Sequence, residues 1–82
     1  MHSREEIFQN LRALMAEMFE IDAEAITLAA SLRLDLDIDS IDAVDLMVKL
    51  REATGRRMQP EDFKNVRTVQ DVVDTLYRMY QS

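Results

Sequence analysis

Ser40 stands between Asp39 and Ile41, directly ahead of the run Asp42-Ala43-Val44-Asp45-Leu46-Met47-Val48-Lys49-Leu50-Arg51. A helix starting here leaves Ser40 in its first turn, exposed, with unpaired backbone N–H groups close by. An anion attached to the hydroxyl would sit at the positive end of the helix dipole, worth about 0.3–1 kcal/mol at an exposed site. Asp39 can accept a first-turn N–H and fix the local geometry. What Ser40 lacks is a base. The single histidine is His2, remote in sequence, and neighbouring carboxylates activate a serine poorly at neutral pH. The chain has no Cys, so a thiol nucleophile, a disulfide framework and a zinc ribbon are excluded. Neither a catalytic triad nor a zincin site can be assembled. A serine presented in this way is better suited to being modified by another enzyme than to attacking a substrate. Asp-Ser is also an ordinary helix cap, and spacing alone leaves both readings open.

Four helical segments are predicted to hold this serine. Ser3 and Glu6 have capping-box spacing, and Ile7, Leu11, Leu14, Met15 and Met18 follow on one face of a helix over about 4–18. Residues 19–38 show no sustained helical period. Ile21, Ile26, Leu28, Leu32, Leu34 and Leu36 are scattered through them, as in a long loop pinned to a core. Asp39 with Asp42 opens a second helix over 40–54, and Gly55 stops it. Its apolar residues cover more than one stripe, so some must face outward or meet a partner. Pro60 suits the first position of a short helix to Asn65. Thr68 with Asp71 caps a last helix over 68–80, with Val69, Val72, Val73, Leu76, Tyr77 and Tyr80 on its apolar face. The expected fold is a single all-α domain over 1–82. It is a small four-helix bundle of three main helices and one short one, with a long loop between the first two.

Composition narrows the classes further. Hydrophobic residues are 48% of the 82, enough for one core and too many for a disordered acidic tail. Single Gly and Pro residues argue against a turn-rich β fold. No apolar run approaches the roughly 18 residues of a spanning helix, and no signal peptide opens the chain, so a soluble cytoplasmic monomer is expected. The net charge of -6 argues against nucleic acid and favours partners with basic surfaces. That charge is concentrated: residues 20–45 hold eight acids and only Arg33, whereas residues 46–82 are net basic.

The segment Leu34-Asp35-Leu36-Asp37-Ile38-Asp39-Ser40-Ile41-Asp42-Ala43-Val44-Asp45-Leu46 resembles the motif region of acyl carrier proteins. The helix register, the long first loop, Pro60 before a short helix and the Thr68-Val69-Gln70-Asp71 opening agree with that family along nearly the whole chain. The resemblance implies that Ser40 is esterified by 4′-phosphopantetheine, transferred from coenzyme A by a separate phosphopantetheinyl transferase. The chain would itself catalyse nothing, and the thiol missing from its composition would come with the prosthetic group. It further implies that Asp39, Asp42 and Asp45 are acidic recognition residues, that Ile41, Val44 and Val48 are apolar docking positions, and that Leu46 and Leu50 are core. Met47 is expected to face inward, and Met15, Met18 and Met47 are either ordinary core or an adaptable lining for an acyl chain. Implied partners are an acyl synthetase or acyltransferase and ketosynthase-, ketoreductase- and dehydratase-type enzymes of fatty-acid or polyketide-type pathways.

Two features depart from the family pattern. Asp37 stands where a Gly usually precedes the motif, and Lys49 and Arg51 make the later half of the second helix basic, joined by Arg56, Arg57, Lys64 and Arg67. The docking surface is therefore two-signed, which points to a specialised carrier, with the run Asp-Ser-Ile-Asp-Ala-Val-Asp similar to carriers that build aryl polyenes. Ile38-Asp39 in place of the Gly-His of peptidyl carriers disfavours an amino-acid cargo. Two rival readings need no covalent modification. Asp35-x-Asp37-x-Asp39 matches the first ligands of a calcium loop, but Ser40 replaces its turn Gly and Leu46 its bidentate Glu, leaving at most weak calcium binding. A small acidic helical interaction module is the other.

Overall fold

The computed structural model describes residues 3–81, so His2 lies outside the described residues. The chain forms three α-helices, α1 (Arg4–Phe19), α2 (Ser40–Thr54) and α3 (Val69–Gln81). Single 3-10 turns at Ala23–Ala25 and Pro60–Phe63 lie in the connections. The short fourth helix is thus one 3-10 turn, and the long loop contains a second that the sequence pattern did not signal. Its cap is local: the Asp22 carboxylate accepts the Glu24 N–H at 3.1 Å. Among the described residues there is no β-strand, only one isolated antiparallel bridge between Ser31 and Thr68.

Each helix is bounded by the chemistry that its flanking residues supply. Ser3 Oγ accepts the Glu6 N–H at 3.1 Å to begin α1, and Glu20 ends it with φ +54, its N–H on Ala16 O. Gly55 ends α2 at φ +69, a left-handed position that costs glycine nothing. At α3, Thr68 Oγ1 accepts the Asp71 N–H at 3.2 Å while the Asp71 carboxylate accepts the N–H of Arg67 at 3.0 Å and of Thr68 at 3.1 Å. The last arrangement is a capping box extended by one residue.

α1 and α3 form the closest helix pair. Ile7, Leu11 and Met15 of α1 are buried with Val69, Val72, Val73 and Leu76 of α3, and Leu14, Met18, Tyr77 and Tyr80 pack around them half-buried. The backbone of α2 stands farther from both and reaches the core through Leu46, Met47 and Leu50. Met15 is fully enclosed and Met47 nearly so, whereas Met18 lies at the core's edge. Arg4 clasps α3 from α1, with Nε 3.1 Å from Asp74 Oδ1 and the guanidinium 4.2 Å above the Tyr77 ring. Past α2, Arg56 donates to Met79 O at 2.8 Å and lies over Tyr80.

The long loop is pinned, as its scattered apolar residues suggest, but by a different subset. Ile26, Ala30, Leu32, Leu36 and Ile38 are buried and Ile21 is half-buried. Leu28 is 41% exposed and Leu34 86% exposed, so these two are not anchors.

The pH response follows from the α3 cap. The Arg67 N–H is the chief cause that holds the Asp71 carboxyl below the ordinary aspartate range; burial opposes it, and the Thr68 N–H and hydroxyl add to the lowering. A carboxyl depressed in the folded state stabilises above its unfolded pKa, and that contribution disappears as pH falls through the folded value. Asp71→Asn is therefore expected to lower stability at neutral pH. Denaturant melts carried into acid should show the deficit shrinking below the ordinary aspartate range; a deficit that stays constant with pH would contradict this account.

Candidate functional site

The loop delivers Asp39 and Ser40 through a chain of backbone contacts. Leu32 N–H donates to Arg67 O at 2.9 Å, and Val69 and Gln70 donate to Ala30 O and Leu28 O at 3.1 and 2.9 Å. Two N–H groups that the start of α3 would otherwise leave unpaired are satisfied in this way. Beyond the bridge the chain turns tightly. Ser31 Oγ accepts the Leu34 N–H, the Asp35 carboxylate accepts the Ser31 N–H at 2.6 Å, and Ser31 O accepts from both Asp35 and Leu36. Ile38 N–H then returns to Leu32 O at 2.8 Å while its side chain enters the core. Asp39 follows directly on that anchor.

Asp39 Oδ1 accepts the N–H groups of Ile41 and Asp42 at 3.0 and 2.9 Å, and Asp39 O accepts from Ala43. The first turn of α2 is thereby closed, with Ser40 as its first residue. Ser40 is exposed, and no described residue forms a hydrogen bond with its hydroxyl or accepts its N–H. Chemically this is an accessible hydroxyl beside a backbone donor at a helix's positive end, with no base aligned on it.

The remaining residues expected at the site separate by face. On α2, Leu46, Met47 and Leu50 turn inward, leaving Ile41 72%, Val44 50% and Val48 41% exposed along the opposite side. The surplus of apolar residues in this helix is thus divided between a core stripe and a solvent stripe. Asp45 is exposed beside the outer stripe, whereas Asp42 lies at the boundary with the core and is half-buried. Lys49 pairs loosely with Glu52 at 3.9 Å, and Arg51 occupies the last turn, where a cation complements the dipole.

Asp37 adopts φ +56, the conformation that only glycine takes at no steric cost. Asp can occupy it where the family usually has Gly, because Asp tolerates a left-handed backbone better than most residues. The three carboxylates of the calcium-loop spacing are dispersed: Asp35 caps Ser31 and Asp39 caps α2. Among the described residues no group of three or more His, Asp or Glu side chains is arranged to hold a metal ion. Sequence reasoning missed the exposed Leu34 and the Asp35–Ser31 cap. The Ser31-x-x-x-Asp35 spacing was a usable signal for the second, since a serine and a following acid can satisfy each other's backbone N–H groups.

These features define a small helical domain with an exposed serine at the start of α2, and its family is given by comparison with known proteins. The family described as "Phosphopantetheine attachment site" matches residues 9–76. The chain is 54% identical over 68 residues to acyl carrier protein 2 of Ralstonia nicotianae, spanning 83% of this chain and 84% of that one. It is 38% identical over 71 residues to the acyl carrier protein of Rubrobacter xylanophilus, spanning 87% and 88%. In structure it resembles the acyl carrier protein of Enterococcus faecalis with a TM-score of 0.74 at 27% identity, covering 94% of this chain and 98% of that one.

The chain belongs to the acyl carrier protein family. It is a carrier, not an enzyme, and holds a covalently attached 4′-phosphopantetheine. It interacts with a phosphopantetheinyl transferase and with biosynthetic enzymes that act on its cargo. The start of α2 fits the group, since an exposed hydroxyl beside an unpaired N–H can take a phosphodiester without displacing any packed side chain. No helix among the described residues is long and apolar enough to cross a membrane.

The left-handed residue at 37 can be tested by substitution. Asp37→Val should destabilise the fold by about 1–2 kcal/mol, the cost of a branched side chain in this conformation, whereas Asp37→Gly should be tolerated. Thermal melts of the two variants check this, and equal tolerance of Val and Gly would contradict the assigned backbone.

Proposed function

We propose that Ser40 is the residue esterified by 4′-phosphopantetheine, and that the outer stripe of α2 is the surface partner enzymes recognise. The observation that carries the reading is the Ser40 hydroxyl, exposed in the first turn of α2 and hydrogen-bonded to no described residue, on a helix whose cap is satisfied by Asp39. Asp39 holds the turn in shape through its paired backbone contacts, so the hydroxyl meets the transferase in one fixed geometry. Neither Asp39 nor any other side chain is asked to activate it; the transferase supplies that chemistry. Ile41, Val44 and Val48 provide the apolar contact, and Asp42 and Asp45 the charge that steers a basic partner.

The cargo is an acyl intermediate of a fatty-acid or polyketide-type pathway, held as a thioester on the arm's thiol. The partners are an acyl synthetase or acyltransferase and ketosynthase-, ketoreductase- and dehydratase-type enzymes, and the carrier meets them as a cytoplasmic monomer. The change of sign along α2, acidic at Asp42 and Asp45 and basic at Lys49 and Arg51, supports a specialised carrier over a general fatty-acid one, with an aryl-polyene-type pathway as the particular assignment.

Incubation with coenzyme A and a broad-specificity phosphopantetheinyl transferase should add one phosphopantetheine by intact mass. Ser40→Ala should abolish the addition with helicity unchanged by circular dichroism; addition persisting in that variant would place the attachment elsewhere. Asp45→Lys should slow transfer by the same transferase about tenfold, mainly through slower association, with little loss of stability. Unchanged transfer kinetics would remove Asp45 from the docking face.

A further inference from the structure

The outer stripe of α2 does not end at Val48. Val44, Val48 and Arg51 follow at spacings of four and three residues, so the arginine continues the same row. Val48 also forms one wall of a surface cleft of about 420 Å³, completed by Arg51, Glu52, Gly55, Arg56 and Arg57. The cleft lies at the far end of a 15-residue helix, about 20 Å from Ser40 at the helical rise per residue.

The charges of this cleft are unequally committed. Glu52 is in an ion pair with Lys49 at 3.9 Å, so its negative charge is partly offset. Arg56 is fixed against Met79 O and the Tyr80 ring, which makes it a rigid wall. Arg51 and Arg57 are exposed, and among the described residues neither forms an ion pair. Complementing the helix dipole accounts in part for Arg51, which lies in the last turn, but not for Arg57, which lies past the end of α2. Gly55 bears no side chain, and a β-carbon built there would meet nothing within 4 Å, so the floor of the cleft is open.

We propose that this cleft receives a carboxylate-bearing segment of the partner enzyme, an Asp- or Glu-containing loop with an apolar residue that rests on Val48. The inference rests on the α2 docking face proposed above and gives it a second, oppositely charged contact. The complementary partner surface is basic over Asp42 and Asp45 and acidic over Arg51 and Arg57. Two contacts of opposite sign, one toward each end of the helix, fix the direction in which α2 lies on the enzyme. A carrier acidic along the whole helix would set like charges together at the second contact, a cost that discriminates against the wrong carrier.

The test uses the 15N-labelled holo-carrier and two capped pentapeptides, Glu-Asp-Leu-Glu-Asp and its charge-reversed counterpart Lys-Arg-Leu-Lys-Arg. The acidic peptide should shift the amides of Val48, Arg51, Gly55 and Arg57, and added salt should weaken the effect. Arg51→Glu with Arg57→Glu should weaken that binding about tenfold or more while the basic peptide still shifts Asp42 and Asp45. Acidic-peptide shifts that are absent, lie elsewhere or survive the double variant would overturn the cleft. The basic peptide separates the two proposals: if it still shifts Asp42 and Asp45 while the acidic peptide does not bind, the docking face stands and the cleft falls, whereas failure of the basic peptide to touch the start of α2 would sink the docking face itself.

Discussion

The bridge between the long loop and the start of α3 is the constraint on which the site depends. Leu28 and Ala30 give their carbonyls to the N–H groups of Gln70 and Val69, and Arg67 gives its carbonyl to Leu32. In one short stretch a helix end that would lack acceptors obtains two, and a loop that would lack structure obtains a partner. The loop is thereby held to the best-packed part of the molecule, since α3 and α1 form its closest helix pair. Everything that positions Ser40 extends from this seam: the turn at Ser31–Asp35, the return of Ile38 to Leu32, and the cap that Asp39 sets on α2.

α2 occupies a different position in the energetics. It reaches the core through Leu46, Met47 and Leu50, stands farther from α1 and α3 than they do from each other, and leaves Ile41, Val44 and Val48 exposed. For an isolated helix an exposed stripe of Ile and Val contributes nothing to stability. The helix places Ser40 and the exposed apolar stripe on one rigid element, the serine in the first turn and Ile41, Val44 and Val48 in the turns that follow. The acidic half of the helix matches the positive end of its dipole and the basic half the negative end. The charge reversal that distinguishes the surface is thus also favourable to the helix that displays it.

A carrier must tolerate repeated handling by many enzymes without chemistry of its own, and the composition is consistent with that demand. Cys is absent, and Ser40 is flanked by the capping Asp39 and the exposed Ile41. Two of the three carboxylates that sequence spacing arranged like a calcium loop are committed individually to backbone N–H groups, Asp35 to Ser31 and Asp39 to α2. Helix caps and metal ligands draw on the same residue types, and only the direction of each side chain separates them.

The periodicity determined the three helices to within about a residue, because caps and apolar spacing act over one or two turns and are written locally: Ser3 with Glu6, Asp39, Gly55, and Thr68 with Asp71. The same local signals marked Ser40 as a first-turn serine and predicted an outward-facing remainder on α2. The apolar residues of the loop carried no such period, so sequence could not distinguish the buried Ile26 and Leu36 from the exposed Leu28 and Leu34. That division was decided by the seam with α3, a contact between segments more than thirty residues apart. The fixing of Arg56 against Met79 O and the Tyr80 ring is likewise a contact between distant segments. Local propensity fixes which residues are helical, but which faces meet is settled only when distant segments compete for the same buried space.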